Sequence, residues 1–200
     1  MGEPQEFPLR TREDWLHAAV ERLRPLYTGA GCAVPGVLHL SMGFPSTAAL
    51  ARTRRRIGEC WSGAASLDGH HHLFLSPVLA EPAEILGVLA HELVHAAVGV
   101  KAGHGPIFRR AALAIGLAGP MRSTTAGPAL ASRLAALASG LGPFPHAGLV
   151  AGERKKQGTR LLKIECPDCG YLARVSAHWI AIGLPVCPCG TTMRLNTPAE

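Results

Sequence analysis

The residues best suited to chemistry lie in one pentapeptide, His91-Glu92-Leu93-Val94-His95. On a helix, side chains at i and i+4 stand one turn apart on one face, so His91 and His95 can share a metal ion. Glu92 lies beside them, placed to take a proton from an activated water. A hydrolytic zinc needs a third protein ligand and one open position. After Glu92 the next carboxylate of any kind is Glu153, so the helices that follow cannot supply an acidic ligand. The downstream histidines are His104, His146 and His178. His104 is preferred, because Gly103 and Gly105 flank it and let the chain turn back toward the first two ligands. No residue stands out as an oxyanion stabiliser; Arg109 and Arg110 are near in sequence, and Arg109 can equally support the fold.

A second group is made of cysteines. Cys166-Pro167-Asp168-Cys169-Gly170 and Cys187-Pro188-Cys189-Gly190 read as the two halves of a four-cysteine zinc ribbon. The second pair has one residue between its cysteines rather than two, and the glycine after each pair allows a tight turn. A segment this small cannot fold on core area alone, so its metal is expected to be structural. Two zinc ions per chain follow, one catalytic and one structural. Ribbons often present basic and aromatic side chains to nucleic acid. Lys163, Tyr171, Arg174, His178, Trp179 and Arg194 are the side chains on offer, with Tyr171 and Arg174 the leading candidates; Tyr171 and Trp179 can stack on bases or pack around the zinc, and packing is slightly preferred for Trp179. Cys32 and Cys60 remain, each read as a buried small hydrophobe, with pairing between them left open.

The elements that must position these groups follow from periodicity. Thr11 to Leu23 reads as an amphipathic helix, capped by Thr11 with Asp14 at the capping-box position and with Pro25 beyond its end. Val37–Ser41, Arg56–Trp61 and His71–Ser76 read as three strands of a small antiparallel meander. His70 to His72 admit a metal-tract reading, but a plain edge strand is preferred, with His71 or His72 as candidates to line the cleft. The basic run from Arg52 to Arg56 reads mainly as a solvated face; Arg54 and Arg55 are its candidate nucleic-acid contacts. Helices are predicted over 83–98, with Gly99 to end it, over 106–117 and over 128–141. The predicted organisation is a catalytic domain over 1–146, a polar linker over 147–160 and the cysteine segment over 161–200.

Composition narrows the class. The 200 residues are 48% apolar and 17% charged, enough apolar residues for a core and too many for wholesale disorder. The formal net charge is +6, which is compatible with nucleic acid but also with simple solubility. No apolar run is long enough for a spanning helix, and the N-terminal residues lack the basic start and apolar stretch of a signal peptide. A cytoplasmic monomer without membrane contact is the expectation.

His91-Glu92-Leu93-Val94-His95-Ala96, then Gly103-His104-Gly105-Pro106, then Phe108-Arg109-Arg110 resembles the SprT-like metallopeptidase family over residues 10–145. The Spartan proteases, which digest proteins crosslinked to DNA, belong to that family. The resemblance implies that His91, His95 and His104 bind zinc and that Glu92 is the general base. It also implies an α+β, zincin-like fold of helices around a small three-stranded sheet, with the third strand bordering the cleft. The short second cysteine pair is similar to the ribbon that follows many bacterial and phage SprT-like domains. The leading expectation is therefore a zinc metallopeptidase acting on protein or peptide, including protein bound to DNA. The alternative is a nucleic-acid-binding or transcription-associated ribbon protein whose peptidase fold is inactive; the intact Glu92 argues against it.

Overall fold

A computed structural model describes residues 11–51, 53–150 and 161–196. The chain forms two compact units, residues 1–151 and 152–200. Of the predicted linker 147–160, residues 151–160 lie outside the described residues. Leu149 still belongs to the first unit, where its amide donates to the Pro77 carbonyl at 2.7 Å.

Helix α1 spans Arg12–Gly29. Thr11 and Asp14 form the reciprocal capping box at its start, with bonds of 3.0 and 3.1 Å. The helix does not stop before Pro25 as the sequence predicts; it runs through it. Proline forfeits one backbone hydrogen bond. That loss is offset beyond it by Tyr27, which is fully buried and donates its hydroxyl to the Ala90 carbonyl at 2.6 Å. Arg24 also ties this turn down, donating to the carbonyls of Val34, Pro35 and Gly36.

Strands β1 (Leu38–Met42), β2 (Gly58–Trp61) and β3 (His71–Leu75) form one sheet in the order β1-β3-β2. β1 runs parallel to β3 and β2 runs antiparallel to it. The predicted meander is thus incorrect. The long connection from Gly43 to Ile57 carries no tight-turn signal that would force β1 against β2, and it lets β2 reach the far side of β3. The histidine strand is consequently central rather than an edge. The pleat sends Leu38, Leu40, Cys60, Leu73 and Leu75 to the core. His39, Glu59, Trp61, His72 and Phe74 take the opposite face.

Helix α2 (Pro82–Val98) packs on the core face. Pro82 starts it, where a missing amide costs nothing, and Gly99 at φ 87° ends it. Helix α3 covers Pro106–Ala114, shorter than predicted, because Gly116 at φ 93° turns the chain into a short hairpin. The hairpin strands are β4 (Leu117–Ala118) and β5 (Thr125–Ala126). Helix α4 (Pro128–Leu141) follows, and Trp15 closes the core near its end by donating to the Gly142 carbonyl at 3.1 Å.

The second unit has strands β6 (Leu161–Glu165), β7 (Leu172–Ser176) and β8 (Arg194–Leu195) in the order β7-β6-β8, with a short helix α5 (Ala177–Ile182) after β7. Among the described residues its buried core is Ile164, Cys166, Cys187 and Met193. Trp179 is 60% exposed, so of its two expected roles the structure disfavours packing among the cysteines, where Ile164 and Met193 are buried instead. No helix among the described residues is long and apolar enough to cross a membrane.

Candidate metal centres

α2 carries His91, Glu92 and His95, and the next turn of chain brings His104 back to them. The reversal uses Gly103 at φ 51°, a backbone conformation that favours glycine. His104 Nε2 lies 3.2 Å from His91 Nε2 and 3.3 Å from His95 Nε2. Three ligands on a tetrahedral zinc with bonds of about 2.0–2.1 Å stand about 3.3–3.4 Å apart, so this spacing fits that ion. The His91 Nδ1 atom meets the Thr124 hydroxyl at 2.8 Å. An Nδ1–H donated there leaves the Nε2 lone pair free to face a metal. Phe108, fully buried on α3, lies under all three rings with centroids 4.4–5.0 Å away.

The electrostatics suit a metal centre. Burial first, then the neighbouring imidazole of His104, lowers the His91 pKa to about 4. Burial and the His91 and His104 rings lower His95 to about 3. Both rings are therefore neutral ligands at neutral pH. Glu92 is 6% exposed, and burial raises its pKa to about 8, opposed by the positive charge of Arg56. Glu92 presses against β2: a Cβ built on Gly58 would fall 2.4 Å from Glu92 Oε1 and 2.7 Å from Val88 Cγ1. β2, not the third strand in sequence, is thus the edge that flanks Glu92.

A model of the SprT-like family matches residues 40–127. Residues 40–127 of the chain are SprT-like. The matched segment holds the sheet except Leu38 and His39 of β1, together with α2, His104, α3 and the β4–β5 hairpin. No curated protein and no solved structure matches the chain.

Within the SprT-like domain, Thr124 and Gly58 are site residues that sequence reasoning missed. Thr124 lies 33 positions from His91, and nothing local marks it. Gly58 opens β2, and its need for space is visible only once α2 is packed on the sheet. Arg54 and Arg55 are exposed on the loop before β2, and Arg52 lies outside the described residues. Arg56 is the member of that run whose charge reaches Glu92, and it pairs with Glu59 at 2.7 Å. Arg109 and Arg110 line an open groove of about 530 Å³ beside His104.

In the second unit, Cys166, Cys169, Cys187 and Cys189 present their sulfurs within 4.8 Å of one another. Cys166 and Cys189 stand 3.5 Å apart, as do Cys169 and Cys187. Tetrahedral thiolates on zinc with bonds of about 2.3 Å lie about 3.8 Å apart, so this cluster also fits. Gly170 at φ 73° and Gly190 at φ 93° form the turns under each pair. The cluster is compatible with a zinc ribbon. Tyr171 is 53% exposed beside it. Arg174 on β7 faces Lys163 on β6. Cys32 and Cys60 are both free; Cys60 is buried, which pushes its thiol up to about 12, and Cys32 is only half-buried.

Proposed function

We propose that this SprT-like chain is a zinc-dependent metallopeptidase. The observation that carries the reading is the convergence of the His91, His95 and His104 Nε2 atoms at metal-ligand spacing, with buried Glu92 one residue from the first of them. These three histidines would hold the zinc. Bound there, it supplies Lewis acidity toward a water and the substrate carbonyl. Glu92 takes the proton of the attacking water and later delivers it to the leaving amine. Burial makes its carboxylate a stronger base than an exposed one. Thr124 holds the His91 ring in the required tautomer.

The substrates proposed are proteins or peptides, including proteins bound or crosslinked to DNA. Support for the DNA component comes from Lys163 and Arg174. These like charges are register partners across two strands, where they repel and where a bound anion would relieve the repulsion. Exposed Tyr171 nearby offers a stacking surface. The proposal places the chain in the cytoplasm as a monomer, with the four cysteines holding a second, structural zinc. The inactive-scaffold alternative leaves Glu92 buried for no return, since no hydrogen-bond partner faces it among the described residues. The test compares wild type with Glu92→Gln on a DNA-binding protein substrate, with and without single-stranded DNA. Cleavage by wild type alone is expected; equal cleavage by both chains would overturn the mechanism.

A further inference from the structure

The outer face of the first sheet carries a group that the catalytic reading does not use. His39 on β1 and His72 on β3 are register partners on adjacent parallel strands, so their rings emerge side by side with centroids 4.4 Å apart. Asp68 reaches them from the loop before β3, with its Oδ2 at 2.5 Å from His39 Nε2. One ligand atom from each of His39, Asp68 and His72 lies within 4.8 Å of the others.

Asp68 is not a wandering surface acid. Its Oδ1 accepts from the Ser66 hydroxyl at 2.6 Å and from the His70 amide at 3.0 Å. Those two bonds leave Oδ2 aimed at the histidines. The loop itself is closed by a backbone approach that excludes any side chain at Gly63, where a Cβ would fall 2.1 Å from the Gly69 carbonyl oxygen. Among the described residues the His72 Nε2 atom meets only Ser66 Oγ, at 2.9 Å, a partner a metal can displace. His70 lies on the same face, its ring 5.8 Å from that of His39, outside the converging group. His72 also lines an open cavity of about 350 Å³, so solvent ions reach the group.

We infer that His39, Asp68 and His72 form a further divalent-metal site, separate from the two clusters described above and taking zinc by preference. Two imidazoles and one carboxylate are a donor set that suits zinc. The pleat puts His72 on the face opposite Leu73 and Leu75, so this site lies across the sheet from α2 and its histidines. Its metal clips the 62–70 loop to β1 and β3.

The test uses the full chain, titrated with zinc against a competing chromophoric chelator. The arms are wild type, His39→Gln/His72→Gln, and Asp68→Asn, which is nearly isosteric and sits on an exposed loop. Wild type is expected to bind one equivalent more than the double variant. Asp68→Asn is expected to weaken that equivalent at least tenfold and to remove the zinc-induced rise in Tm that it produces. The count is a difference between chains, so it reads the same whether or not the catalytic reading holds. Identical isotherms for wild type and Asp68→Asn would overturn the site and leave a His–Asp ion pair in its place. Should the double variant misfold, Asp68→Asn alone decides.

Discussion

Glu92 concentrates the energetic oddity of the site. A carboxyl that is 6% exposed and faces no hydrogen-bond partner among the described residues favours its protonated form, hence the rise to about 8. A folded-state pKa above the unfolded value means a contribution to stability that is complete below about pH 4.5. It is lost as pH rises through about 8. In metal-stripped protein, Glu92→Gln should therefore gain stability relative to wild type across that window, by roughly 3–5 kcal/mol at its upper end. Paired denaturant titrations of the first unit at pH 5 and pH 8.5 measure this, and a constant difference would refute it. His91 and His95 act in the opposite sense, since their lowered values make stability fall as pH drops below about 6.5. The Gln variant isolates the carboxyl from them. In the zinc-loaded protein the same substitution should leave metal content intact and lower the proposed peptidase turnover by about 10²–10⁴. The positions of His91, Glu92 and His95 on one helical turn were legible because helical spacing is local. Thr124 was not legible, because its contact to His91 spans a helix and a hairpin.

Elements decide whether those residues meet. β2 can lie against α2 only because Gly58 carries no side chain, and Gly58→Ala drives a methyl into Glu92 and Val88. Overpacking of this kind costs about 1–3 kcal/mol. The expected signature is a moderate fall in Tm with zinc retained and a fall in kcat larger than the change in KM. Unchanged kcat would show that Glu92 tolerates the shift. The β4–β5 hairpin positions Thr124 in the same way, and Thr124→Val keeps shape while deleting the acceptor. Loss of such a partner lowers metal affinity by about 10–100-fold, which a competitive zinc titration reads directly. The strands were legible from alternation within one or two residues, yet their order was not. Alternation reports which face a residue takes and says nothing of which neighbour it pairs with. The same limit applies to α1: Pro25 reads locally as a stop, whereas buried Tyr27 and its bond to Ala90 carry the helix onward.

At the scale of the whole molecule the two units stand on different physical footings. The first buries a continuous core from Trp15 to Phe144, with α2 in contact along its length, so it does not depend on an ion to fold. The second buries Ile164, Cys166, Cys187 and Met193, and two of those four are the proposed ligands themselves. Such a core is too small to offset the entropy of ordering the segment. Metal binding there would be folding free energy. The Thr191 amide beside Cys189, with its sulfur neighbours, lowers that thiol, which favours the thiolate form a metal takes. Chelation of the full chain should accordingly split its behaviour. Hydrogen exchange followed by peptide is expected to show residues 161–196 losing protection, while α1 and α2 keep theirs. Cys189→Ser should reproduce the first half of that result without chelator, because removing one thiolate breaks the tetrahedral set. Protection that survives chelation in β6 and β7 would mean the second unit holds itself together by packing alone. Loss in both units at once would mean that the histidine site, too, is a condition of folding rather than an addition to a finished core.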